Sequence, residues 1–153
     1  MNVELTKQFL ETCHEAKKVV ELLLQLPEGM KPKHIQVIDT VHCLSMQKEF
    51  VRVSDVSETL RVTKPSITKL INELESLDII VKNSIPFDKR IIVLKLTPLG
   101  ERYYEIYVDK YHNWLAEQFA DIDEEDLLIT IQTISKAYRI MESHKKESEK
   151  FIL

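Results

Sequence analysis

The feature that most constrains this chain is its shortage of glycine. Among 153 residues there are two, Gly29 and Gly100. Ordinary usage near 7% would supply about eleven. Glycine provides tight turns, positive-φ positions and close backbone approach to ligands. Two glycines this far apart cannot write a GxGxxG or GxxxxGK loop, so a glycine-rich nucleotide cradle is excluded. A sandwich or barrel with many hairpins is disfavoured for the same reason. With 30% charged and 44% apolar residues, the expectation is long helices joined by few turns around one core. The first residues carry Glu4 and Lys7 and no long apolar run, which argues against a signal peptide. The longest uninterrupted apolar stretch, at residues 91–94, is far too short for a membrane span. A soluble cytoplasmic protein without membrane contact is expected.

Hydrophobic periodicity divides the chain. Leu5, Phe9, Cys13, Ala16, Val20, Leu23 and Leu24 recur at helical steps over the first 26 residues. Pro27 and Gly29 end that helix, and Pro32 is expected to delay the next until His34. Ser54 is a candidate N-cap for a short helix over 55–60. Thr63 is a second N-cap, followed by Lys64 and Pro65, and proline suits a first turn. Ile67, Leu70, Ile71, Leu74 and Leu77 form the buried stripe of that helix. Residues 81–85 and 91–96 are rich in β-branched side chains and read as a hairpin joined by residues 86–90. Thr97 and Pro98 open a helix expected to run to about Phe119. The acidic stretch from Asp121 starts the last helix, whose apolar face is Leu127, Leu128, Ile131, Ile134, Tyr138 and Met141. The largely charged residues 142–153 are expected to fray.

Helix, short turn, helix and two-stranded ribbon, in that order, is a winged helix-turn-helix. Opposite the apolar stripe of its second helix lie Lys64, Pro65, Ser66, Thr68, Lys69 and Asn72. Four of these carry cationic, hydroxyl or amide groups in the half of the helix that enters a major groove in such motifs. Asn72 has the donor–acceptor pair that can read an adenine. The local charge supports the assignment. Residues 61–95 hold seven basic and four acidic side chains, a net +3, which leaves −7 for the rest of a chain totalling −4.

The run Asp88, Lys89, Arg90, followed after four residues by Leu94, Lys95, Leu96, Thr97, Pro98, Leu99 and Gly100, resembles the wing of the MarR family of multiple antibiotic resistance regulators. That wing carries an Asp-x-Arg tip, an apolar strand and Leu-Thr-x-x-Gly. Residues 53–77, with Thr63 to Thr68 opening the recognition helix, resemble the same family's reading helix pair. The resemblance covers residues 33–102 well. It implies that Arg90 enters a minor groove with Asp88 and Lys89 beside it, Asp88 steadying the arginine. Relatives often place glycine where Arg61 and Asp78 stand here.

The resemblance further implies a mainly α fold: a winged helix-turn-helix lobe at 33–100 with a two-stranded β wing, flanked by N- and C-terminal dimerisation helices at 1–32 and 101–153, all in one 1–153 domain. It implies a homodimer on double-stranded DNA, repressing from a pseudo-palindromic operator and relieved by a small aromatic or lipophilic effector. Tyr103, Tyr107 and Tyr111, at i, i+4 and i+8, either line the effector pocket or pack the junction between helices. Cys13 and Cys43 invite an oxidant-sensing reading, which needs a stabilised, accessible thiolate. The histidines show no i, i+4 pair, and no metal or other cofactor is expected. No Ser/His/Asp, paired-carboxylate or metal motif suggests an enzyme. The competing reading is a winged-helix protein-interaction module that does not read DNA.

Overall fold

The structure, a computed structural model, describes residues 2–21, 25–85 and 88–148. Leu23 and Leu24 of the expected first stripe, Pro86 and Phe87 of the expected hairpin connection, and the charged tail from residue 149 lie outside the described residues. The chain forms two compact units, residues 1–112 and 113–153.

The first unit runs α1 (Val3–Glu21), α2 (Pro32–Ser45), α3 (Val53–Leu60), α4 (Lys64–Ser76), β1 (Ile80–Ile85), β2 (Asp88–Leu96) and α5 (Pro98–Tyr104). A π-helical turn (Glu105–Lys110) and the start of α6 (Tyr111–Gln118) complete it. The second unit holds the rest of α6, then α7 (Glu124–Ser143) and α8 (Lys145–Ser148). The fold is mainly α with one two-stranded antiparallel sheet.

The core explains why the short elements are stable. Val37, Ile38 and Val41 of α2, Val56 of α3, and Ile67, Ile71 and Leu74 of α4 are fully buried, in one cluster with Ile79, Ile80 and Leu94. Each such side chain contributes about 1.5–3 kcal/mol on burial. An eight-residue helix such as α3 is too short to persist alone, so this packing holds it. The turn into α4 is closed by Ser57, whose hydroxyl donates to the Val62 carbonyl at 2.6 Å. The main-chain N–H of Leu94 donates to Val51 O at 2.8 Å, tying the loop before α3 to the base of the wing.

Several local expectations are corrected. Pro32 does not delay α2; it is the first helical residue, the position where its missing N–H costs nothing. Ser54 does not cap α3. The cap residue is Arg52, and Asp55 reaches back to accept its N–H at 2.7 Å. The first helix stops earlier than residue 26, since Gln25, Leu26 and Pro27 are not helical. β2 begins at Asp88 rather than Ile91, with a register break between Ser84 and Ile85. The helix after Pro98 is interrupted by the π-helical turn, where Lys110 pairs with Glu105 at 2.7 Å. The last helix starts at Glu124, capped by Asp123, whose carboxylate accepts from the N–H groups of Glu125 and Asp126. It extends through Ser143 rather than fraying from residue 142.

Thr63 and Thr97 do occupy N-cap positions, and Thr97 Oγ1 accepts the Gly100 N–H at 3.1 Å. Arg61 and Asp78 have φ of 53° and 56°. Both residues thus hold the left-handed geometry that favours glycine.

Candidate nucleic-acid interface

α4 turns its apolar stripe into the core and leaves Lys64, Pro65, Ser66, Thr68, Lys69 and Asn72 exposed. A shallow groove along this face is lined by Lys64, Pro65, Thr68, Lys69, Asn72, Glu73 and Ser76. The Thr68 hydroxyl donates to Lys64 O at 2.8 Å, so its remaining capacity toward solvent is as an acceptor. Ser66 and Thr63 share a hydroxyl–hydroxyl bond of 3.0 Å.

The face is held by contacts that local sequence could not announce. His34, at the start of α2, is fully buried. Its Nδ1 accepts the Lys31 N–H at 3.2 Å. Nε2 therefore carries the ring proton and donates to Glu73 Oε2 at 2.7 Å. Lys31 Nζ reaches the same oxygen at 3.1 Å. His34 and then Lys31 hold the Glu73 carboxyl below the ordinary glutamate value. The middle of α4 is thus tied to the N-terminus of α2 across 39 positions, and no spacing rule marks such a pair.

The end of α4 is fixed by a clasp. Thr97 Oγ1 donates to Asp78 O at 2.6 Å, and the Thr97 N–H donates to Ile79 O at 3.0 Å. Gly100 lies directly against that strand end. A β-carbon there would collide with Ile79 O and stand 3.2 Å from Leu96 Cβ. Space therefore demands glycine at position 100, since its φ is not positive. Leu-Thr-x-x-Gly is the element that locks the end of β2 to the end of α4.

In the wing, Ile80 pairs with Leu96 and Ser84 with Ile92. Asp88, Lys89 and Arg90 are exposed. Asp88 Oδ1 accepts the main-chain N–H of Arg90 at 2.9 Å. The aspartate therefore orders the arginine through the backbone. A further basic residue, Lys82 of β1, bridges the wing to α4. Its ammonium donates to Asn72 Oδ1 and pairs with Glu75 at 2.7 Å. Sequence reading counted Lys82 only as charge.

Away from this face, Tyr103 and Tyr107 meet edge-to-face at 5.4 Å, and Tyr111 lies beside His112 at 6.1 Å. Tyr104 stacks on His42 at 3.6 Å, and His42 Nδ1 bonds Glu101 at 3.0 Å. Tyr103 and Tyr104 both pack against the core cluster. The Cys43 thiol donates to Asp39 Oδ1 at 3.4 Å. Desolvation, and then that carboxylate, push its pKa up, the opposite of what a reactive thiolate needs. Among the described residues no group of three or more His, Cys, Asp or Glu side chains is placed to hold a metal ion. Among the same residues, no helix is long and apolar enough to cross a membrane.

No protein-family model matches the chain. It is 30% identical over 106 residues to the HTH-type transcriptional regulator MntR of Bacillus pumilus, covering 67% of this chain and 68% of that one. The MntR of Lysinibacillus sphaericus is likewise 30% identical, over 63% of this chain and 66% of its own length. The chain thus spans about two thirds of these relatives. Among solved structures, Streptococcus pneumoniae FabT in complex with DNA has a TM-score of 0.67 at 22% identity, covering 93% of this chain and 99% of FabT. The PcaV transcriptional regulator of Streptomyces coelicolor, in complex with its natural ligand, also has a TM-score of 0.67, at 14% identity over 86% and 89%. A MarR family protein from Bacillus stearothermophilus has a TM-score of 0.60 at 17% identity, over 93% and 99%.

Proposed function

The chain belongs to the helix-turn-helix transcriptional regulators and shares the fold of a MarR family protein, and we propose from that premise that it is a MarR-type, homodimeric, cytoplasmic repressor of a pseudo-palindromic operator. α4 enters the major groove and the Asp88–Arg90 tip enters the minor groove. The observation that carries this reading is the set of exposed cations on α4 and the wing tip. Lys31, Lys48 and Lys82 are each committed to a carboxylate. Lys64, Lys69, Lys89 and Arg90, all on the reading face, are exposed and have no ion pair among the described residues. Exposed cations without a carboxylate partner on these two elements are available to a phosphate backbone.

Dimerisation through 1–32 and 101–153, leaving 33–100 as the reading lobe, is supported by apolar side chains left exposed. In α1 these are Val3, Leu5, Leu10 and Val19; in α7 they are Leu127, Leu128, Ile131, Ile134 and Met141. Large apolar side chains left exposed on two long helices support an interface there. Two-fold symmetry then sets the recognition helices about 34 Å apart, one DNA turn. Relief by a small aromatic or lipophilic effector is supported by the Tyr103–Tyr107 ring pair and the π-helical turn beside it, a feature frequent at functional sites.

The test is a gel-shift titration against the chain's own upstream DNA over a range of salt. With eight phosphate contacts in a dimer, log K should fall against log salt with a slope of about −7. Lys69→Ala and Arg90→Ala should each weaken binding and flatten the slope by about 2, one contact per protomer, while sizing still shows dimers. Salt-insensitive binding, or full affinity in Arg90→Ala, would refute the reading.

A further inference from the structure

The Lys82 bridge changes what Asn72 can read. An ammonium group only donates, so the atom of the Asn72 amide that faces it is the oxygen. Lys82 is in turn held by Glu75 at 2.7 Å, with its side chain 26% exposed. Both partners of the ammonium are thus on α4, and the lysine is fixed over one edge of the reading face. Asn72 itself is exposed.

Bidentate reading of adenine requires both ends of an amide. The oxygen accepts from N6 and the nitrogen donates to N7. Here one of the oxygen's two lone pairs already accepts from the Lys82 ammonium, which fixes the amide plane and makes the oxygen a weaker acceptor for the adenine N6–H. The nitrogen keeps both of its N–H groups. The side chain therefore presents two free donors beside a weakened acceptor. A guanine edge offers N7 and O6 as neighbouring acceptors and no donor in the major groove.

Resting on the DNA-reading proposal above, we propose that Asn72 reads chiefly as a donor, selecting guanine rather than adenine in each half-site, and that Lys82 is the positioning residue that sets this choice. Neutralised by Glu75, Lys82 does not act as a phosphate contact.

The test is selection of bound duplexes from a random-sequence library, using the full-length protein and four variants checked by circular dichroism. The wild type should enrich guanine at one position per half-site. Asn72→Ala should lose preference at that position alone. Lys82→Met, which keeps the stem and removes the donor, frees Oδ1 and should shift that position from guanine to adenine by about tenfold. Lys82→Arg, which keeps a donor-only cation, should retain guanine. Glu75→Gln should leave guanine preferred while adding salt sensitivity, because Lys82 is then unneutralised. Guanine preserved in Lys82→Met, with affinity reduced equally on all sequences, would overturn the inference and leave DNA reading standing. Adenine enriched by the wild type would do the same. A wild type that enriches no sequence would overturn both proposals.

Discussion

Gly100→Ala separates two physical accounts of one residue, because they differ in sign. Gly100 lies in the first turn of α5. By helix propensity alone, alanine there should stabilise by about 1 kcal/mol. By packing it should do the reverse. The added methyl would fall inside the 3.0 Å limit that real β-carbons respect toward Ile79 O, and 3.2 Å from both the Ile79 carbonyl carbon and Leu96 Cβ. The obstacle is backbone and cannot swing aside like a side chain. Moving it disturbs the Thr97 N–H bond to Ile79 O at 3.0 Å and the Thr97 hydroxyl bond to Asp78 O at 2.6 Å. Two hydrogen bonds at about 1 kcal/mol each, with overpacking strain of about 1–3 kcal/mol, outweigh the propensity gain. The net loss is about 2–4 kcal/mol. For a chain of this size that lowers Tm by roughly 4–16 °C. The assay is thermal unfolding followed by far-ultraviolet circular dichroism at one fixed protein concentration, since dimer formation couples to stability. Gly29→Ala is the control. Its φ is +81° and its β-carbon would meet only Leu77 at 3.5 Å, so the cost is conformational, about 1 kcal/mol. A Gly100→Ala protein as stable as wild type, or more stable, would show that the clasp tolerates a methyl and that this reasoning is wrong.

Other perturbations test other links. Glu73 has a lowered folded pKa, so its contribution to stability is present above the unfolded glutamate value and lost as pH falls through the folded one. Urea unfolding from pH 6 down to pH 3 should therefore show wild-type stability dropping below about pH 4.3, with a shallower drop in Glu73→Gln; parallel curves would contradict the His34–Glu73 tie. Asp78→Val, forcing a β-branched residue to a φ of 56°, should lose about 1–2 kcal/mol. Asp78→Gly should match or exceed wild type in the same thermal assay. Tyr107→Ala should change the response to aromatic effectors more than operator affinity, read by gel shift with and without effector; an equal loss of both would assign the ring to packing.

Sequence alone determined the elements. Thr63 with Lys64 and Pro65, the Ile67–Ile71–Leu74 stripe, the β-branched ribbon and Thr97 with Pro98 act through capping, φ restriction and side-chain period, which reach only a few residues along the chain. These suffice for the helix-turn-helix, the wing and the exposed residues of the reading face. That Arg61 and Asp78 stand at glycine positions came from the family resemblance and not from these local rules. The boundaries that shifted, at Pro32, Arg52 and Asp88, are places where two local rules competed and the neighbouring packing or strand pairing chose between them.

Tertiary structure decided how those elements are aimed. His34 meets Glu73 across 39 positions, Thr97 meets Asp78 across 19, and Lys82 meets Asn72 across 10. None of these pairs lies within one turn of helix or one step of a strand, so no periodicity encodes it. Gly100 shows the difference in one residue. The sequence marked it as part of a motif, but only the carbonyl of Ile79, brought beside it by the fold, explains why a single methyl cannot be accommodated there.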